Sequence, residues 1–297
     1  MHETGSRQFV VNPTPTPKGI PVTKALNVQL LVIDPQNDFM DSPGSTLPVP
    51  GANADMTRLA GLVGRVGSKL ADIHVTLDSH RVIDVSHRGM WRDQDGNMPN
   101  PFTLIFAKDI ESGVWTPRNP KLRGRMLAYT STLEKTPGNS AHLIWPDHCL
   151  IGTPGAAVQS NLFAALEAWE RKEFANVNYV TKGTNVFTEH FGALQAEVPD
   201  PQDPSTQLNT GVLEMLRDAD IVGVAGEALS HCVLRTVNQI AQHIGDAHIK
   251  KFHIITDCTQ PVPQAPGTPD FPAIAQAWLA DMQRQGMTLC TADEFLR

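Results

Sequence analysis

The sequence predicts an α/β protein built on a doubly wound, mostly parallel six-stranded sheet with helices on both faces. Three observations predict it. Short, continuous apolar runs near residues 29, 73, 177, 221, 252 and 288 have the β-branched character of strands buried on both sides. Patterns of helical period separate them, the alternation that gives parallel strands joined by crossover helices. Finally, Asp34, Lys182 and Cys232 each follow one of these runs, and open α/β sheets place their ligands outside the carboxyl ends of strands.

Composition narrows the function classes. The chain has 297 residues, 41% hydrophobic and 19% charged, enough for one large α/β domain or two small ones. A net charge of -7 speaks against a nucleic-acid surface. No apolar run nears the roughly 20 residues of a membrane span, so neither nucleic acid nor membrane is an expected partner. The opening, MHETGSRQFV, lacks the apolar core of a signal peptide, which makes the cytoplasm the expected compartment. Cys149, Cys232, Cys258 and Cys290 lie far apart with no CxxC pair, neither a disulfide framework nor a cysteine zinc knuckle. We expect an extended Pro/Thr-rich arm over residues 1–27, suited to wrapping the domain or a neighbouring subunit, and one domain over 28–297.

The elements follow in order. The first strand, VQLLVI at 28–33, ends in Asp34-Pro35-Gln36-Asn37-Asp38-Phe39. Asp often caps a turn or helix, but Pro35, Pro43, Pro48 and Pro50 keep the chain open here. Residues 52–70 read as a helix and 73–77 as the second strand, leading into Asp78-Ser79-His80. Residues two apart on an extended chain point the same way, so this carboxylate and imidazole converge; both are ordinary ligands of a divalent transition metal. A lone DxH needs a third ligand to mean much.

Residues 81–143 form a long, turn-rich insertion with a candidate helix at 121–133. Loops of this length inside a compact domain are usually functional. Trp91, Phe102 and Trp115 are suited to shielding a pocket or pinning the insertion, and His87 is a further candidate ligand. Next comes Trp145-Pro146-Asp147-His148-Cys149, and then Pro154 as the first turn of a helix carrying Val158, Leu162, Leu166 and Trp169. A strand at 178–181 ends in Lys182-Gly183. A lysine there can hold a carboxylate and stabilise developing negative charge, although most lysines simply leave the sheet.

Residues 187–209 form a polar loop, followed by a short helix at 211–217. The stretch at 221–244 is the most informative in the chain. Its strand, 221–225, turns through Gly226 into a helix with Val233, Val237, Ile240 and Ile244 on one face. Cys232 falls at the first turn, among unpaired N–H groups at the positive end of the helix dipole, which favours the thiolate. A small residue packed under the helix is the alternative. A strand at 252–256, a helix at 271–285 and a strand at 287–290 complete the chain.

GEALSHCV at 226–233 resembles the nucleophile segment of the nicotinamidase and isochorismatase-like cysteine hydrolases. DPQNDF, the Lys182-Gly183 pair, and WPDHC followed by GTPGA resemble the family's other segments. The resemblance implies the isochorismatase-like hydrolase fold, with Asp34 as general base, Cys232 as nucleophile and Lys182 as the catalytic lysine. It implies an oxyanion hole from the N–H groups of Ala228 and Cys232, with a cis bond between Glu227 and Ala228. It makes Asp78, His80 and His148 the ligands of a divalent transition metal, zinc foremost with iron or manganese as alternatives. Phe39 and Trp145 become the walls around a substrate ring, and Cys149 becomes structural. The implied activity is nicotinamide hydrolysis to nicotinate and ammonia, with a small-molecule amide as partner and a homo-oligomer compatible with the pattern. Two rivals stand beside it: a cysteine hydrolase of another amide or N-carbamoyl compound, and a non-catalytic metal-binding or interaction scaffold.

Overall fold

The computed structural model describes residues 26–136 and 141–297; most of the expected N-terminal arm lies outside the described residues. Six strands form the main sheet: β1 Val28–Ile33, β2 Leu70–Asp78, β3 Asn178–Lys182, β4 Ile221–Gly226, β5 Phe252–Ile255 and β6 Thr288–Cys290. Every neighbouring pair is parallel, in the order β6-β5-β4-β1-β2-β3. Strand order therefore reverses between β1 and β4, and such switch points open a crevice at the carboxyl ends of the strands.

The alternation of side chains across β1 divides the core. Leu30 and Val32 join the cluster containing Leu59 and Leu62 of α1 (Ala52–Val66), with Leu162, Leu166 and Trp169 of a second helix. Leu31 and Ile33 point the other way, to a cluster with Leu213, Val237, Ile240 and Trp278. Residues one apart on a strand face opposite sides, so a single apolar run serves two helical layers. Helices on both faces explain why the strand sequences read as unbroken hydrophobic runs.

The helices on these faces include α1, α3 Ser160–Glu173, α4 Thr210–Asp218, α5 Leu234–Ile244 and α6 Phe271–Gln285; α2, Arg123–Lys135, belongs to the long insertion. Several boundaries differ from the sequence expectation, most by a residue or two. The helix expected over 52–70 stops at Val66, gives a short 3-10 turn at Gly67–Lys69, and β2 already begins at Leu70. Pro154 opens a separate turn, Pro154–Ala156, rather than the helix. The helix starts at Ser160, where the Gln159 side chain accepts a hydrogen bond from the Leu162 N–H, and Val158 instead bridges to Gln36. Cys232 lies in a five-residue π-turn, Leu229–Val233, ahead of α5. The apolar face expected there holds: Val233, Val237, Ile240 and Ile244 are buried.

The insertion packs around a core of its own. Two short antiparallel ribbons pair Trp91–Arg92 with Thr116–Pro117 and Leu104–Ile105 with His142–Leu143. With α2 they enclose Val85, Trp91, Ile110, Met126, Tyr129 and Ile144. Trp91 is fully buried, and its indole N–H donates to the Val85 carbonyl at 2.8 Å. Trp115 packs against the same cluster, so both tryptophans pin the insertion together. Phe102 turns toward the sheet and meets Trp145 edge-on at 5.9 Å.

Candidate active site

Three strand ends meet where the strand order reverses. Asp34 leaves β1 with φ of 43°, a left-handed conformation that Asp tolerates better than most residues. Its carboxylate is held by the Thr76 hydroxyl of β2, which donates to Oδ1 at 2.6 Å and accepts from the Asp34 N–H at 3.0 Å. Gln36 ties the same two strand ends together. Its amide donates to the Asp78 carbonyl and its side-chain oxygen accepts from the Asp78 N–H, both at 2.7 Å.

Lys182, the last residue of β3, connects these groups. Its ammonium lies 2.9 Å from Asp34 Oδ2 and 3.1 Å from Asp78 Oδ1, donates to the His190 carbonyl at 2.9 Å, and stands 3.7 Å from Cys232 Sγ. All four side chains are buried. For Lys182, burial works against its charge, but Asp34 and Asp78 outweigh it and raise its pKa well above the usual value. For Asp34, burial dominates and raises the pKa; Lys182 opposes and Asp78 adds to it.

Burial also dominates at Cys232, whose thiol pKa is raised well above the ordinary value. Lys182 opposes this rise, and Asp34 and Asp78 reinforce it. This corrects the expectation that the helix dipole favours a thiolate. The side chain is enclosed inside a π-turn and faces carboxylates, so desolvation outweighs the backbone dipoles. Cys149 is likewise a buried thiol raised by burial, and its N–H donates to Asp38 Oδ2 at 2.7 Å.

The segment before Cys232 is positioned by contacts to β1. The Glu227 N–H donates to the Ile33 carbonyl at 2.7 Å, and the Gly226 N–H donates to the Cys258 carbonyl at 2.9 Å. Gly226 has φ of 113°, and a Cβ built there would lie 2.0 Å from Ile33 O. Only glycine allows the two strands to approach this closely at the turn. The Glu227–Ala228 peptide is cis. The Ala228 carbonyl accepts from His231 at 3.0 Å and from Val233 at 3.2 Å, closing the turn over which Cys232 is presented.

Beside this group lie three buried imidazoles. His80, His87 and His148 each offer a ring nitrogen, all within 4.8 Å of one another. Asp78 Oδ2 is 3.0 Å from His80 Nε2 and 3.6 Å from His148 Nε2. Each ring is oriented through Nδ1: His80 toward Asp84 Oδ2 at 3.2 Å, His87 toward the Arg81 carbonyl at 3.1 Å, and His148 toward the Pro146 carbonyl at 2.8 Å. Such partners orient the rings: Nε2 of His80 and of His148 face Asp78 Oδ2, while Nε2 of His87 accepts from the His148 N–H at 3.3 Å. Burial, with His148 and His80 nearby, lowers the His87 pKa to about 3, so its ring is neutral, the form that binds metals. At His80, burial opposes a charge, but Asp78 and Asp84 prevail and raise its pKa well above the usual value. Three imidazoles and a carboxylate in this arrangement fit a divalent transition metal.

The structure thus brings Asp34, Lys182 and Cys232 together, and places Asp78, His80 and His148 beside them. It adds His87 to the imidazoles. Sequence reasoning passed over Thr76, Gln36, Asp84 and His190; Gln36 stands inside the quoted DPQNDF string, whereas the others gave no local signal. The two expected ring walls are separated in their contacts. Phe39 lies against His148, ring centroids 5.5 Å apart, while Trp145 meets His231 at 4.9 Å and Phe191 at 6.2 Å. Trp145 also lines a cavity of about 150 Å³.

The sheet order and the helices on both faces make this a doubly wound, parallel α/β fold. Among solved structures it is similar to a nicotinamidase/pyrazinamidase from Acinetobacter baumanii, at 20% identity over 92% of this chain and 100% of that chain, with a TM-score of 0.57. It is similar to yeast nicotinamidase at 18% identity over 89% of this chain and 99% of that chain, TM-score 0.57. A pyrazinamidase of Pyrococcus horikoshii in complex with zinc aligns at 18% identity over 89% and 99% of the two chains, TM-score 0.50. No protein-family model and no curated protein sequence matches the chain.

Proposed function

We propose that the protein is a cysteine amidohydrolase that converts nicotinamide to nicotinate and ammonia. The observation that carries this reading is the buried Asp34–Lys182–Cys232 group standing directly against a cluster of three imidazoles and Asp78. Neighbours in fold that are nicotinamidases and pyrazinamidases, one of them in complex with zinc, support it.

In this mechanism Asp34 accepts the Cys232 proton as sulfur attacks the amide carbonyl. Its starting point is a neutral thiol, so attack and proton transfer are coupled. The N–H groups of Ala228 and Cys232 receive the charge that develops on the carbonyl oxygen. Lys182 holds Asp34 in place and compensates the buried negative charge through both carboxylates. Asp34 then returns the proton to the departing ammonia, and water hydrolyses the thioester. Asp78, His80, His87 and His148 would hold a divalent ion, zinc foremost, which supplies a Lewis acid able to bind a ring nitrogen.

The test compares catalytic efficiency on nicotinamide, benzamide and an N-carbamoyl amino acid. Benzamide keeps the ring and amide but lacks the ring nitrogen, so it should react far more slowly. Equal rates on the first two would remove the pyridine-specific reading. A preference for the carbamoyl compound would leave a cysteine hydrolase with a different substrate.

A further inference from the structure

Two buried carboxyls that no step of the hydrolysis uses meet at the start of the turn that carries Cys232. Glu227 follows the last residue of β4, and Asp55 lies in the first turn of α1; neither is exposed. The two carboxyls face each other within hydrogen-bonding reach. One oxygen of each is held by a donor. The Gln260 N–H donates to Glu227 Oε2 at 3.0 Å, and the Arg58 guanidinium donates to Asp55 Oδ1. The other two, Glu227 Oε1 and Asp55 Oδ2, have no N–H or hydroxyl partner among the described residues.

Ionised carboxylates only accept hydrogen bonds, and two of them side by side in a dry interior cannot both keep their charge. The surrounding groups do not relieve this. The cation at the pair is Arg58, which balances one carboxylate and also approaches Asp257 Oδ2 at 3.9 Å. Asp41 adds negative charge at Glu227, and the nearby Cys258 thiol is kept neutral by burial. Burial raises the Glu227 pKa well above its usual value, and Asp55 adds to the rise. Burial raises Asp55 as well, against the pull of Arg58. Gln260 links this pair to the chemistry. Its N–H holds the Glu227 carboxyl, and its carbonyl accepts from the Leu229 N–H at 2.8 Å. Ala228, whose N–H is one of the two oxyanion donors in the mechanism above, therefore has an anchored residue on each side.

We propose that Glu227 and Asp55 share one proton, and that this carboxyl pair positions the Ala228 N–H for the oxyanion. The Glu227 O–H then donates to Asp55, and the pair carries one negative charge, which Arg58 balances. Glu227 touches no reacting atom; it is a positioning residue that acts through Ala228. The inference rests on the amidohydrolase reading and adds to it what holds one of its two oxyanion donors in place.

The test compares wild type, Glu227→Gln and Glu227→Leu, each checked for folding by circular dichroism, with two readouts. The first is urea unfolding across pH. A shared proton is kept on folding and released on unfolding at any pH above 4.5, the ordinary Glu value, so wild type loses stability as pH rises through that window. Glu227→Gln donates an N–H to Asp55 without a proton to lose. The unfolding constant of wild type relative to this variant should therefore rise about tenfold per pH unit. The second readout is kcat and KM on nicotinamide with the metal-loaded enzyme. Glu227→Leu should lower kcat by roughly tenfold or more with little change in KM, the pattern of a displaced oxyanion donor, while Glu227→Gln should keep kcat near wild type. If Glu227→Gln does not fold, Asp55→Asn, which supplies the N–H from the other side, takes its place in both comparisons. A ratio of unfolding constants that is flat with pH, wild-type kcat in the Leu variant, or a Gln variant as impaired as the Leu one overturns the inference, and turnover of nicotinamide by wild type leaves the amidohydrolase reading intact. No turnover of any amide by wild type overturns that reading and the positioning role together.

Discussion

Cys232 and Asp34 face each other across an ammonium, in a space from which water is largely excluded. The Lys182 charge favours the ionised form of both, and burial disfavours it more. Asp34 works as a base only when ionised. Its pKa is raised above the ordinary 3.8 by burial, so the ionised fraction grows at a higher pH than for a free carboxylate. The acid limb of kcat/KM should therefore lie above about pH 4, the ordinary carboxylate range. A limb at or below that value would mean another group controls it. Asp34→Asn cannot accept the proton, and a loss of about 100-fold or more is expected across the whole pH range. Cys232→Ala should bring turnover to background while the fold, read by circular dichroism, survives. Substantial residual turnover would redirect attention from Cys232.

At the scale of elements, the site depends on how closely β1 and β4 converge. Gly226 permits that approach, since a Cβ there would lie 2.0 Å from Ile33 O and meet other Ile33 backbone atoms as well. The backbone of β1 cannot move aside without displacing Asp34, the next residue. Gly226→Ala combines overpacking with a φ of 113° that alanine rarely adopts, and should cost about 3 kcal/mol or more. Urea denaturation measures this, and the activity of any folded remainder should fall as well. A variant of near wild-type stability would show that the turn relaxes freely and that the close approach is not needed.

The whole molecule brings the candidate metal-binding residues together. Asp78 and His80 come from the end of β2, His87 from the start of the insertion, and His148 from beyond its end. An ion held by all four ties distant segments of the chain together and binds the folded state only, so it stabilises by mass action. Removal by a chelator should release about one ion per chain and lower the melting temperature, and re-addition should restore both. His87→Ala and His148→Ala should each reduce the bound ion measured by elemental analysis. Wild-type protein that contains no transition metal and takes none up would retire the metal reading. The insertion contributes more than spacing, because its own core packs Tyr129 over the loop after Lys182, where the Glu189 N–H donates to the Tyr129 hydroxyl at 3.3 Å.

The sequence by itself determined the strands and the order of chemistry along them. Apolar runs and helical periods are local patterns, and six of six expected strands stand in the main sheet. The residues Asp34, Lys182 and Cys232 were legible because each ends or follows such a run, next to strings such as DPQNDF and GEALSHCV. Their electrostatics were not legible. Whether a thiol is stabilised as an anion depends on how much water it loses and which charges face it, and both are sums over residues far apart in the chain. The same reason hid Thr76 and Asp84, ordinary residues in sequence that act only through the atoms they meet. His87 gained its place among the imidazoles from the path of a 63-residue insertion, residues 81–143, whose folding no local spacing specifies. Local period and turn chemistry suffice to write the strand order's raw material; only packing decides burial, and burial decides the charges at the site.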